Sequence, residues 1–459
     1  MSPSMARSLL NLRKLWIISC QSMEEVITEE EQQGEEIMTN ESLFPRLENL
    51  YLNDLPKLGH FILTKRAHEF PSLKEVDILE CHKMKTFIQQ VTVSTLSFES
   101  VNNDDELKVV DLNKAMFNSK VLCHNLEVLY IWEANSITAL CSHQLPAPYF
   151  SKLEALEVQN CGELRNLMSP SVARALLNLR KLRIEECQSM EEVITEDQEQ
   201  QGEQIMIEPL FLVLEVVILD MLPKLRHFFL TKYTLEFPFL RALQIHVCPE
   251  MKKFVQQGSV STPSLECVNN DDEVKAVDTM FNSKVSCLNL KELELAGANC
   301  ITSLCTHQLP MGYFSKLEKL VVRNCGELRN LMSQSMARGL LNHRTLRILE
   351  CQLMEEVITE EEQQGEEIMT NEPLFPVLEE LKLYDLPKLG HFILTKHVVE
   401  FPFLKEVAIR DCPKMKSFIQ QGTESTLNFE SVNNDDELKV VDFNKTMFNS
   451  KVCLVPLYN

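Results

Sequence analysis

The feature that most constrains this chain is a short apolar phrase, L-x-x-L-x-L-x-x-C/L-x-x-L/M. It recurs near Leu15, Leu50, Val76, Leu129, Leu156, Leu182, Val217, Leu243, Leu293, Leu320, Leu346, Leu381 and Val407. These thirteen units are mostly spaced by 26, 27 or 35 residues, with two wider gaps of 53 and 50. The L-x-L step has period two, so its apolar residues point to one side of a short strand. One such strand cannot bury that side alone. Neighbouring units must stack in a parallel sheet to close a continuous core, and the x residues then line the opposite face.

A period of 26 to 27 falls within the range of leucine-rich repeats. The expected fold is therefore an α/β solenoid: a leucine-rich-repeat horseshoe with a parallel concave sheet, a mostly irregular or short-helical convex side, and about 13 repeats. Phe-Pro pairs at Phe44, Phe70, Phe237, Phe375 and Phe401 open several units. Proline there fixes φ and keeps a helix from running into the strand, and the phenylalanine is expected to pack against the previous turn.

A second, longer periodicity lies over the first. MARSLLNLRKLWI begins at Met5, VARALLNLRKLRI at Val172 and MARGLLNHRTLRI at Met336, at offsets of 167 and 164 residues. The segments LFPRLENLYL, LFLVLEVVIL and LFPVLEELKL share these offsets, and FNSKV recurs at Phe117, Phe281 and Phe448. The solenoid is thus expected over residues 1–418, in blocks 1–150, 151–315 and 316–418, with a polar insert and a truncated, partly disordered repeat over 419–459. Each block carries two inserts, expected as surface loops. One is acidic, beginning at Glu24, Glu191 and Glu355; the other contains VNNDDE, at Val101, Val268 and Val432.

Composition narrows the function. With 44% hydrophobic and 24% charged residues the chain can bury a large core. A net charge of −22 repels phosphates and anionic lipid, so no nucleic-acid partner is expected. No apolar run is long enough to span a bilayer and no secretory signal is visible, which points to no membrane insertion, a cytoplasmic location and reduced thiols. On that reading the sequons at Asn40 and Asn444 are chance matches. Of the 15 cysteines, Cys20, Cys81, Cys161, Cys187, Cys248, Cys325, Cys351 and Cys412 share one repeat position. A buried ladder, each S–H meeting a nearby carbonyl, explains them better than zinc, which needs close cysteine pairs. No glycine-rich phosphate loop, H-E-x-x-H or G-x-S-x-G occurs, and the acidic runs lack calcium-loop spacing. Neither catalysis, a cofactor nor a metal is expected.

The candidate binding residues are outward strand positions. Trp16, Tyr51, Tyr130 and Trp132 offer large rigid contact area in the first part of the chain, unless they merely cover neighbouring leucines. Lys181, Arg183, Lys319, Arg323 and Arg347 occupy comparable positions further along, either as a basic stripe or as a ladder shared with neighbouring glutamates.

These residues resemble a known family. The unit FPFLKEVAIRDCPKM from Phe401, with FSKLEALEVQNCGELRNLM from Phe150 and LRKLRIEECQSMEEVI from Leu179, is similar to the repeats of plant intracellular nucleotide-binding leucine-rich-repeat immune receptors of the coiled-coil class. The resemblance runs to about Phe418. It implies a protein-recognition module in plant defence. Its partner would be a pathogen effector, a guarded host protein or the nucleotide-binding domain of a full-length receptor. The family's Walker-type loop is not in this sequence, so no ATP role is carried over. Because Met1–Arg7 matches the mid-block segment Met168–Arg174, the chain reads as a piece of a longer receptor or a truncated paralogue. The alternative is the substrate-recruiting repeat module of a ubiquitin-ligase adaptor.

Overall fold

The computed structural model describes residues 1–28, 41–64, 67–90, 115–119, 121–141, 149–195, 210–231, 235–257, 279–282, 285–305, 309, 312–359, 374–394, 399–420, 439–441 and 452–453. Most of each acidic and each polar insert, most of the third FNSKV phrase and the sequon asparagines Asn40 and Asn444 lie outside them. The chain forms two compact units, Met1–Leu230 and Thr231–Asn459.

In the first unit seven strands make the repeat sheet: β1 (Lys14–Ile18), β2 (Asn49–Asn53), β3 (Glu75–Leu79), β4 (Val128–Trp132), β5 (Ala155–Gln159), β6 (Lys181–Glu185) and β7 (Val216–Asp220). All neighbours pair in parallel and in strict register, so that Leu15, Leu50, Val76, Leu129, Leu156, Leu182 and Val217 form one row. The second unit repeats the design with β8 (Ala242–His246), β9 (Glu292–Ala296), β10 (Lys319–Arg323), β11 (Thr345–Leu349), β12 (Glu380–Tyr384) and β13 (Glu406–Arg410). These thirteen strands are the thirteen units of the sequence. A further strand, β14 (Lys439–Val441), pairs with β13 although no leucine phrase marks it.

Burial follows the two-residue period. In β2 Leu50 and Leu52 are buried while Asn49, Tyr51 and Asn53 are half-exposed, and the same alternation holds in β12. Register is firmly fixed by this pattern, because a one-residue slip would turn every leucine outward. Behind the leucines runs a phenylalanine spine. In the first unit Phe61, Phe70, Phe87, Phe117 and Phe150 meet in succession with ring centroids 4.9–6.2 Å apart. The five Phe-Pro phenylalanines are all buried in this layer.

Each strand ends in the same way. The residue after it has φ between 49° and 66° in all thirteen units, from Ser19 to Asp411. Only Gly297 of these is glycine; most others are Asp, Asn, Glu or Ser. Val247 is the exception that strains, since a β-branched side chain disfavours the left-handed region. Then comes the cysteine position. From Cys20 to Cys412 the eight thiols each donate to the carbonyl two residues earlier at 3.3–3.6 Å; seven are buried, as the expected ladder requires, and Cys20 is half-exposed.

The return side carries regular structure that the sequence does not mark. Short parallel strands, such as Glu25–Thr28, His60–Thr64 and Thr86–Gln90, form secondary sheets. Among the described residues, helices of six residues, α1 (Pro3–Ser8), α2 (Pro170–Ala175) and α3 (Gln334–Gly339), stand at the start of the three phrases MARSLLNLRKLWI, VARALLNLRKLRI and MARGLLNHRTLRI. Ser2, Ser169 and Ser333 cap them by accepting from the backbone N–H three residues on.

Candidate functional site

In-register pairing turns the outward residues of each sheet into three continuous rows. In the first unit the middle row reads Trp16, Tyr51, Asp77, Tyr130, Glu157, Arg183 and Ile218. The row toward the strand ends reads Ile18, Asn53, Leu79, Trp132, Gln159, Glu185 and Asp220. Three of the four candidate aromatics therefore share a row, and Trp132 stands beside them in the next.

The aromatics sit in different environments. Trp16 is 65% exposed and leans on Tyr51, with ring centroids 5.9 Å apart at a 52° tilt. Ile18 beside it is 47% exposed. Tyr130 is half-buried and its hydroxyl donates to Gln159 Oε1 at 3.4 Å; burial, then the Glu157 charge, raises its pKa. Between the two tyrosines stands Asp77, which sequence reasoning overlooked. Burial, and then the neighbouring Glu75, pushes its carboxyl up to about 6. Writing the outward positions as rows would have revealed it, because L-x-L spacing alone places it between Tyr51 and Tyr130.

The candidate cations are in a different state. Lys181 Nζ lies 2.8 Å from Glu157 Oε1, and Arg183 Nε lies 2.6 Å from Glu185 Oε1. In the second unit Lys319 pairs with Glu294, and Arg323 Nη2 lies 2.9 Å from Glu350 Oε1. Arg347 holds Glu380 with two hydrogen bonds, at 2.7 and 3.3 Å. Lys382 bridges Glu380 at 2.9 Å and Glu406 at 3.3 Å. Partial burial would raise the Glu380 carboxyl, but the Arg347 and Lys382 hydrogen bonds outweigh it and hold the group below the usual range. Of the two arrangements the sequence left open, the geometry is that of a glutamate-shared ladder. Each candidate cation has an anion at hand.

Among the described residues, no group of three or more His, Cys, Asp or Glu could hold a metal ion. Burial pushes the thiols of Cys123, Cys141, Cys287 and Cys305 far up, so they stay protonated. No described helix is long and apolar enough to cross a membrane.

Comparison with known proteins gives this repeat array its family. Residues 1–99, 119–260 and 289–429 match the family described as plant disease resistance protein RPS2-like, leucine-rich repeats. The chain belongs to this family. It is thus a leucine-rich-repeat region of the plant disease-resistance type, and the matched stretches skip most of the first two polar inserts. A probable disease resistance protein of Arabidopsis thaliana is 29% identical over 159 residues, covering 34% of this chain. That alignment spans 15% of the relative's length.

Proposed function

We propose that this disease-resistance repeat region is a non-catalytic protein-recognition module of an intracellular plant immune receptor, working in the cytoplasm. Its partner is a pathogen effector, a guarded host protein or the nucleotide-binding domain of a full-length receptor. Recognition is by the outward face of β1–β4, and contact there either reports the partner or restrains the switch domain.

The observation that carries this reading is the in-register cluster of Trp16, Tyr51, Tyr130 and Trp132. Rigid aromatic side chains bury large area at little entropic cost, which is why they dominate binding hot spots. The cationic positions support the contrast. Their charges are already neutralised within the chain, so a partner covering them must desolvate formed pairs for little gain.

A pull-down from plant cytosol tests the proposal. The intact chain is compared with Tyr51→Ala/Tyr130→Ala and with Lys181→Ala/Arg183→Ala. The expected result is loss of the retained proteins with the tyrosine variant and their retention with the cation variant. Unchanged partners with both would remove this face from consideration.

A further inference from the structure

The middle rows of the two units, each taken by itself, contain three acidic residues, and they are not alike. Glu157 is held by Lys181 at 2.8 Å, and Glu294 by Lys319. Asp77 has no cation and no hydrogen bond from any described residue. We propose that Asp77, with Tyr51 and Tyr130 on either side, is the seat for one basic side chain, arginine or lysine, on the recognised protein. This rests on the reading of β1–β4 as the recognition face and names the chemistry of its partner.

Geometry carries the argument. Tyr51, Asp77 and Tyr130 are register partners on three consecutive strands. Adjacent strands lie about 4.8 Å apart, so a cation at the carboxylate comes within about 6 Å of both rings, the range of cation–π attraction. A guanidinium or ammonium there gains a charge-assisted hydrogen bond and two ring faces at once. A neutral or anionic group gains neither.

The surroundings leave this carboxylate without compensation. Facing it are Tyr51 from β2, Glu75 on its own strand and Tyr130 from β4, with Glu157 one strand further on. Glu75 accepts a hydrogen bond from Asn49, and Glu157 is already paired. No Lys or Arg occupies an outward position of β2, β3, β4 or β5. Half-burial without a counter-charge is what lifts the acid toward 6. A docking cation would reverse that cost, and the chain's net charge of −22 steers basic surfaces toward it.

The block copies show that the seat belongs to one place. At the Asp77 position they carry Gln244 and Ala408, and at the Tyr51 position Ile218 and Lys382. The inward positions of these strands stay Leu, Val or Ile in all of them.

The test titrates a tetra-arginine peptide into the whole chain carrying Trp16→Phe, so that Trp132 is its one tryptophan and reports binding by emission. Asp77→Asn should weaken binding at least tenfold. Glu406→Gln, which removes the same charge elsewhere, should stay within twofold, and a tetra-citrulline peptide should not bind. Affinity should rise as pH increases through about 6, where Asp77 ionises, and this rise should vanish in Asp77→Asn. Equal binding by Asp77→Asn and Glu406→Gln would overturn the seat and leave only general attraction to an acidic protein. If at the same time Tyr51→Ala/Tyr130→Ala still loses the pulled-down partners, the recognition face stands without the cation seat. If that variant keeps them, the face itself fails, whatever the peptide does.

Discussion

Strands β1–β4 of the first unit and β10–β13 of the second are made from the same repeat, yet their outward faces have opposite chemistry. The first presents Trp16, Tyr51, Tyr130, Trp132 and an uncompensated Asp77. The second presents Lys319, Arg347, Lys382 and Glu380, each in an ion pair within the chain. Their inward rows are nearly interchangeable: Leu50 and Leu52 in one, Leu381 and Leu383 in the other, all buried. Copying kept what the stack needs and released what it does not. A position free of packing duty can either be satisfied within the chain or be left for something outside it, and the two regions illustrate one outcome each.

The largest expected effect lies on the shared inward side. Leu52→Ala and Leu383→Ala should each cost about 3 kcal/mol in denaturant unfolding, because both empty a closed core position. A large difference between them would break the claim that the two regions share one architecture.

His343 marks where the inward copying failed. It takes the place of Leu179, is fully buried, and neither ring nitrogen has a well-formed hydrogen bond. Its ring packs 5.7 Å from that of Phe375. Burial lowers its pKa to about 4, only partly offset by the Leu317 backbone. His343→Leu should stabilise the second unit by about 2 kcal/mol at neutral pH, the usual cost of an unsatisfied buried polar group. The folded-state pKa lies below the unfolded value, so the unfolded chain binds the proton first as pH falls. The protein with His343 should therefore lose stability from about pH 6.5 down to about 4, by roughly 3 kcal/mol in total, and His343→Leu should flatten that part of the profile. Parallel profiles for both proteins would mean the ring is not buried as described.

A smaller effect should appear at the strand-end turn that every repeat shares, tested at β8 and β9. Val247 holds φ 49° where the next repeat has Gly297. Val247→Gly should stabilise by about 1 kcal/mol, measured as a shift in the denaturant midpoint. Gly297→Val should do the reverse and more, since a Cβ there would stand 3.2 Å from the Val247 Cα. The smallest effect belongs to the charged ladder. A double-mutant cycle on Arg347 and Glu380 should give a coupling of about 0.5 kcal/mol, because the pair is solvent-accessible and screened. A coupling of several kcal/mol would mean the ladder is structural, and would blunt the contrast between the regions.

Much of this was legible before the structure. The two-residue apolar period located all thirteen main strands, and the cysteine position followed from it. The outward placement of Trp16, Tyr51, Lys181 and Arg347 was also readable, since alternation fixes which side a residue faces. Pairing was not. Whether Arg347 meets Glu380 depends on a strand 33 residues away and on rotamers that no periodicity encodes. Asp77 was missed because its meaning comes from neighbours 26 and 53 residues away, Tyr51 and Tyr130, and not from its own segment. Strand β14 and the secondary strands of the return side carry no leucine phrase; the latter bury only short apolar pairs such as Phe61–Ile62 and Phe87–Ile88, too brief to display a strand period, and their ladders are backbone hydrogen bonds.

The most direct test compares the two outward faces against one partner recovered from plant cytosol. Its affinity is measured for the intact chain, for Tyr51→Ala/Tyr130→Ala and for Arg347→Ala/Lys382→Ala. The tyrosine pair should weaken binding at least tenfold while the charged pair changes it less than twofold. Weakening confined to the charged pair would contradict the account, placing recognition on the face whose charges are already satisfied.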